Sequence, residues 1–180
     1  MKSTAFLSPC GQYRYRLDRI WDSTLPIVLF VMLNPSTADA DSDDPTINKC
    51  MGFAKRWGYG GITVTNLFAY RATDPKALKV VSNPYGMGNS ACVKAIAWEV
   101  SHALGLVVLA WGAHGEWLQE GRKTYQEMSA IPDIELLCLG TTKLGHPKHP
   151  LYLSYSTEPV LYRPASFKIT GHQNPRGVWL

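Results

Sequence analysis

The chain has 180 residues, of which 46% are hydrophobic and 18% are charged, which is enough for one well-formed core and short for two. No segment approaches the roughly 20 apolar residues of a membrane span, and the N-terminus lacks the apolar run of a signal peptide. We therefore expect a cytoplasmic protein with no membrane partner. The net charge of +4 favours an anionic partner only weakly.

In the first half of the chain, alternating and continuous apolar patterns predict strands. Residues 11–21 alternate between apolar and polar side chains, which predicts a half-exposed strand in an edge hairpin or leading into a sheet. Residues 27–33 are a continuous apolar run, typical of a strand buried on both faces, and residues 62–67 predict a second strand. Between these strands, Thr46 is placed to cap a helix over 47–57.

The second half of the chain repeats the alternation of helix and strand. Asn89 or Ser90 is placed to cap a helix that ends near residue 103, and a third buried strand follows over 106–111. A helix of about 116–129 precedes a fourth strand over 134–139, and the remainder is mostly loop with one short helix. This order predicts an α/β fold of three layers, α-β-α, with a short, mainly parallel four-stranded sheet in a single domain over residues 1–180.

In such a fold, the loops that follow the four strands meet at one edge of the sheet. These loops are 34–37, 66–73, 111–114 and 141–150. Their polar and aromatic side chains include Asn34, Ser36, Thr37, Asn66, Tyr70, Arg71, Trp111, His114, His146 and His149. A nucleobase is the ligand that this set favours, because an Asn amide offers a donor and an acceptor to a base edge while an aromatic ring stacks on its face.

Simpler structural interpretations stay open for several of these residues. Asn34 and Ser36 flank a proline and are common turn formers, and Asn66 could close the turn after its strand. An acidic cluster follows the first loop and lacks the spacing of a calcium loop, so a solvated loop with its last carboxylate near a helix N-terminus is the simpler interpretation. The cluster consists of Asp39, Asp41, Asp43 and Asp44.

The chain from residue 143 onward is basic and predicts an anion-facing region, with a solvated basic surface as the alternative. Glu158 is the only acidic residue in it. Its basic residues and histidines are Lys143, His146, Lys148, His149, Arg163, Lys168, His172 and Arg176. The prolines stiffen the 146–150 segment, which could present His149 to an anion or to a developing negative charge. Its histidines match no standard zinc spacing, so no metal is predicted.

Two segments closely resemble a family of bacterial and phage proteins known mainly as a domain of unknown function. They are residues 31–75, which include LNPSTADADSDDPT and NLFAYRATDP, and residues 140–153, GTTKLGHPKHPLYL. More distantly, the order of these motifs resembles the uracil-DNA glycosylase superfamily, whose fold is a short parallel sheet between helices. This second resemblance implies a uracil-DNA glycosylase-like domain.

The glycosylase resemblance also implies three residue roles. A loop after one strand positions the attacking water, an Asn at the end of the next strand binds the base edge, and a late His-Pro loop stabilises the departing base. By position these roles fall to Asn34, Asn66 and His149, with His146 as the alternative to His149.

These inferences favour hydrolysis of an N-glycosidic bond to a normal or modified base, in DNA or in a nucleotide, with no cofactor. The alternative is a non-catalytic module that binds a modified base or nucleotide, and the oligomeric state stays open. The candidate catalytic residues are Asn34, His149 and Asp44, the last in a loop that is either catalytic or a lid. The candidate substrate-binding residues are Ser36, Thr37, Asn66, Tyr70, Arg71, Trp111, His146 and Lys148.

Overall fold

Four apolar segments form the parallel centre of a sheet. In the computed structural model, which describes residues 1–164, they are β3 (Ile27–Met32), β4 (Gly61–Asn66), β5 (Leu106–Leu109) and β6 (Leu136–Cys138). They pair in parallel in the order β4-β3-β5-β6. Their central residues are almost completely buried, which explains why they form continuous apolar runs in the sequence.

The complete sheet is larger than predicted, because antiparallel strands extend it on both sides. β1 (Lys2–Leu7) and β2 (Arg14–Ile20) add to the β4 side, and β7 (Val160–Leu161) adds to β6. The prediction of a four-stranded, mainly parallel sheet is therefore wrong: the sheet is mixed and has seven strands. β7 is two residues long and both are exposed, so it has no periodicity to detect.

The position of β2 also differs from the prediction of a half-exposed strand. β2 lies between β1 and β4, and Arg14 and Arg19 are only 2% and 1% exposed. The alternating pattern correctly indicated a strand there, but it placed Arg14 among the side chains that face solvent, and Arg14 is buried. The strand is covered by the segment after β3, whose carbonyls accept hydrogen bonds from both guanidinium groups.

Helices cover both faces of the sheet, as expected for an α/β fold. α1 (Pro45–Arg56) packs on Val28, Phe30 and other side chains of one face, while α2 (Asn89–His102) and α3 (Glu120–Ser129) pack on the opposite face. The predicted helix over 116–129 is divided, because a 3-10 segment (Ala113–Gln119) precedes α3.

Two of the predicted helix starts differ in their caps. α1 is capped by Asp44 and not by Thr46, because the Asp44 carboxylate accepts the Ile47 N–H at 2.9 Å. α2 begins at Asn89 with Gly88 as its cap residue in a left-handed conformation, and the Asn89 side chain bonds elsewhere.

Within residues 1–164, no helix combines the length and apolar character that crossing a membrane would require. The short helix predicted near the C-terminus corresponds to a 3-10 turn, Pro150–Tyr152. Lys168, His172 and Arg176, which belong to the predicted basic region, lie outside the residues described.

Candidate functional site

The carboxyl ends of the parallel strands border a cleft of about 480 Å³, which we call the edge cleft. All four loops that follow these strands contribute to its wall. The predicted site residues that line it are Asn34, Ser36, Asp44, Asn66, Trp111 and His149, together with His114. The volume is in the range of small-molecule sites in proteins.

Asn66, the last residue of β4, carries a polar group without a partner in the wall of the cleft. The residue is 1% exposed, and its Nδ2 has no hydrogen-bond partner within the part of the chain that the structure describes. Buried polar groups are nearly always hydrogen-bonded, because an unpaired one costs about 1–3 kcal/mol. An unpaired amide beside a cleft therefore indicates a ligand that supplies the missing partner.

The backbone that carries Asn66 is held by Asn89, which the sequence indicated only as a helix cap. Asn89 Nδ2 donates to the carbonyls of Asn66 at 2.9 Å and of Leu67 at 3.0 Å. These carbonyls lie where β4 leaves the sheet. The first residue of α2 thus fixes the end of the strand and, through it, the direction of the Asn66 side chain.

Asn34 ties together the loops that follow β3 and β4. Its Nδ2 donates to the carbonyls of Ala72 at 2.7 Å and of Pro35 at 3.0 Å, and the Ala72 N–H donates to the Pro35 carbonyl at 2.8 Å. Because the amide nitrogen is occupied, Oδ1 is the part of Asn34 that can accept a hydrogen bond from a water or a ligand.

Asp44 and His149 both line the cleft, where the Asp44 charge acts on the His149 ring without a direct hydrogen bond. One Asp44 oxygen caps α1, and the carboxylate charge acts on both His149 and Arg14. His149 Nδ1 accepts the Leu151 N–H at 3.3 Å, which leaves the ring proton on Nε2. Burial lowers the pKa of His149 below its ordinary value, and Asp44 partly opposes this shift. The neutral ring is therefore a hydrogen-bond donor through Nε2–H at neutral pH.

Among the charged and aromatic residues that line the cleft, sequence reasoning missed two, Arg14 and Tyr152. Burial lowers the pKa of Arg14 to about 10, so the guanidinium is still charged at neutral pH. Tyr152 is 86% exposed at the rim, where an aromatic face is free to stack on a ligand. The signal for Tyr152 is its place two residues after His149-Pro150, while the alternating pattern of β2 made Arg14 look like a surface residue.

The other predicted substrate-binding residues do not line the cleft. They are Thr37, Tyr70, Arg71, His146 and Lys148. The Arg71 guanidinium donates to the carbonyls of Gly11 and Thr37, and Nε2 of His146 lies 3.6 Å from a Glu116 carboxylate oxygen. Both side chains are occupied in holding neighbouring loops.

Trp111 lines the cleft but is mainly a core residue. It is 3% exposed, and a Cβ placed on Gly115 would lie 2.1 Å from Trp111 Cδ1. Gly121 also approaches the indole closely, with a distance of 2.7 Å from its ideal Cβ to Trp111 Nε1. Such close packing leaves little of the indole to stack on a ligand.

The acidic cluster organises its own loop. Asp39 Oδ1 accepts the N–H groups of Asp41 and Ser42, at 3.0 and 3.1 Å, and Asp43 pairs with Arg19 at 2.8 Å. With Asp44 serving as a helix cap, three of the four carboxylates have defined structural partners. Across residues 1–164, no group of three or more His, Cys, Asp or Glu side chains is arranged to hold a metal ion.

Comparison with known proteins places the chain in a family. No curated protein and no solved structure matches it. The model of one protein family, described as "Protein of unknown function (DUF1643)", matches residues 14–151, which include every strand of the parallel centre and all of the cleft-lining residues except Tyr152. Because this match covers well over half of the sequence, the chain belongs to that family of proteins of unknown function.

Proposed function

We propose that the protein hydrolyses the N-glycosidic bond of a normal or modified base, held in DNA or in a nucleotide, and that the edge cleft is its active site. The observation that carries this proposal is the buried Asn66 amide, which has no hydrogen-bond partner in residues 1–164 and lies in the cleft wall. An amide matches the alternating donors and acceptors of a base edge.

The remaining cleft residues fit the charges that this reaction develops. As the bond from the sugar C1′ to the base nitrogen breaks, its electron pair leaves with the base, and the sugar carbon becomes positive. The Nε2–H of His149 would donate to the base anion, which needs a donor and not a second proton acceptor. Asn34 Oδ1 would hold the water that attacks C1′, and the Asp44 carboxylate would take the proton which that water loses.

The motif order adds a second line of support. The chain's resemblance to the uracil-DNA glycosylase superfamily assigns the same three roles to Asn34, Asn66 and His149. The sheet has a parallel centre with helices on both faces, although within residues 1–164 it is a mixed sheet of seven strands and larger than the short parallel sheet that this resemblance implies.

The test is release of free base, measured by mass spectrometry on a panel of nucleosides, nucleotides and base-modified oligonucleotides. Asn34→Ala and His149→Ala should each lower the rate by about 10²- to 10³-fold, the usual cost of losing one such group. His146→Ala is the matched control, because His146 is in the same loop but outside the cleft and should keep the parent rate. Equal rates for the parent and both cleft variants would refute the assignment.

A non-catalytic binding module is the second candidate, and one observation favours it. In the glycosylase resemblance, glycines stand where this chain has Leu33 and Ser36, and both of these side chains line the edge cleft. Compared with glycines, these two side chains leave less space in the cleft beside the 34–37 loop. Tight binding of a panel member without release of free base would identify this function.

A further inference from the structure

Arg14 is a buried charge at the edge cleft that the proposed reaction does not use. It is the first residue of β2, it is 2% exposed, and it lines the cleft. Its Nη1 donates to the Ala38 carbonyl, whereas its Nε has no hydrogen-bond partner and no carboxylate lies within ion-pair distance, considering residues 1–164. A guanidinium has five donor hydrogens, so most of its capacity is unused.

Arg19, in the same strand, has the contacts expected of an arginine with a structural role. It is 1% exposed, it pairs with Asp43 at 2.8 Å, and it donates to the carbonyls of Asp39 and Ser42. Two arginines of equal burial in one strand therefore have very different surroundings. Arg19 is fully engaged by the acidic loop, and Arg14 faces the cleft.

The charges around Arg14 do not neutralise it by contact. Asp44 and Asp39 attract it, while Arg71 and Arg19 repel it. Asp39 is held by the N–H groups of its own loop, and one Asp44 oxygen is held by the start of α1. Burial of a charge without a close partner destabilises a fold, so such a residue is better explained by a ligand than by stability.

We propose that Arg14 binds an oxyanion of the ligand, a phosphate or a carboxylate, inside the edge cleft. This deepens the proposed function, on which it rests, because it makes the substrate a nucleotide or a base that carries an acidic group. The planar fork of an arginine matches both oxyanions. Because Arg14 is almost fully buried, a phosphodiester backbone on the surface would not reach it, and the anionic group must enter the cleft.

The test is isothermal titration of the full chain with the ordinary nucleosides, their 5′-monophosphates, orotate and inorganic phosphate. At least one monophosphate, or orotate, should bind about 10- to 100-fold more tightly than the uncharged nucleosides. Arg14→Met should remove this preference, whereas Arg56→Met, which changes an exposed arginine at the end of α1 and outside the cleft, should keep it. A preference for monophosphates would identify a phosphate, and a preference for orotate a carboxylate.

A measurement on the parent protein tests the proposal even if Arg14→Met does not fold. The Nε–H signal of Arg14 in a 15N-resolved NMR spectrum should shift when the preferred anion is added. The proposal is overturned if no anionic probe binds more tightly than the nucleosides, or if the preference survives in folded Arg14→Met. Release of base from neutral nucleosides without anion preference would refute this inference alone, and Arg14-dependent anion binding without base release would refute the hydrolase alone.

Discussion

Replacing Asn89 tests whether the start of α2 holds the end of β4 that carries Asn66. In Asn89→Ala, the carbonyls of Asn66 and Leu67 both lose the Nδ2 donor that reaches them at 2.9 and 3.0 Å. Asn89 is 3% exposed, so water does not easily replace the lost bonds. Each buried acceptor left unpaired costs about 1–3 kcal/mol, and the two together cost about 2–6 kcal/mol. The variant also removes Asn89 Oδ1, which is itself buried without a hydrogen-bond partner in residues 1–164, so we expect a net loss of about 2–4 kcal/mol in the free energy of unfolding.

This loss is large enough to measure by two methods. For a chain of this size, about 2–4 kcal/mol corresponds to a fall of roughly 4–16 °C in Tm, and urea unfolding gives the free energy directly. Asn89→Asp keeps the size of the side chain but removes the N–H donors, so it should also destabilise the protein at neutral pH. Ser90→Ala, at the next and exposed position of α2, loses one solvent-exposed hydrogen bond to a Glu127 carboxylate oxygen at 2.6 Å and should change the stability by less than about 1 kcal/mol.

The consequence for the site is separate from the loss of stability. At a temperature where the variant is fully folded, it should bind bases or nucleotides more weakly than the Ser90→Ala control, because Asn66 is no longer held in place. Unfolding of Asn89→Ala at the same urea concentration as the parent protein would refute the reasoning, since the two hydrogen bonds would then contribute nothing.

Two further predictions concern the edge cleft and its support. In an NMR titration, the pKa of His149 should lie below its ordinary value of 6.5, and Asp44→Asn, which keeps a good helix cap, should lower it further. As the pH falls, His149 is protonated at a higher pH in the unfolded chain than in the folded one, so the free energy of unfolding should decrease as the pH drops from about 6.5 toward the folded pKa. An unshifted pKa of His149 would contradict the burial argument. Gly115→Ala should cost about 1–3 kcal/mol in urea unfolding, because its new Cβ would lie 2.1 Å from Trp111 Cδ1, and an unchanged midpoint would contradict the packing described here.

Several features of the fold could be predicted because they depend on local patterns. The strand over 27–33 was predicted from a continuous apolar run and the strand over 62–67 from its β-branched residues, and the structure has β3 and β4 there within one residue at each end. Parallel strands leave the sheet at the same edge, so the position of Asn34, Asn66 and His149 around one cleft followed from the order of the elements.

Other features could not be predicted, because they depend on contacts between distant segments. The alternation in 11–21 indicated a strand, but only the loop after β3 decides that Arg14 and Arg19 are buried. The simpler interpretation of the acidic loop is confirmed, since residues 41–43 are exposed and Asp44 lies at the start of α1, but the pairing of Asp43 with Arg19, more than 20 residues earlier in the chain, could not be predicted. Asn89 was expected to cap its own helix, whereas it bonds to a strand 23 residues away.

Hydrophobic periodicity and the order of strands and helices were therefore sufficient to indicate the α/β class and the edge of the sheet at which the cleft lies. These patterns extend over a few residues, so the sequence alone contains them. The burial of Arg14 at the cleft, the pairing of Arg19 with Asp43 and the support that Asn89 supplies were settled only in three dimensions. The physical reason is that a buried polar group takes whichever partner the packed chain brings near it, and sequence separation does not restrict that choice.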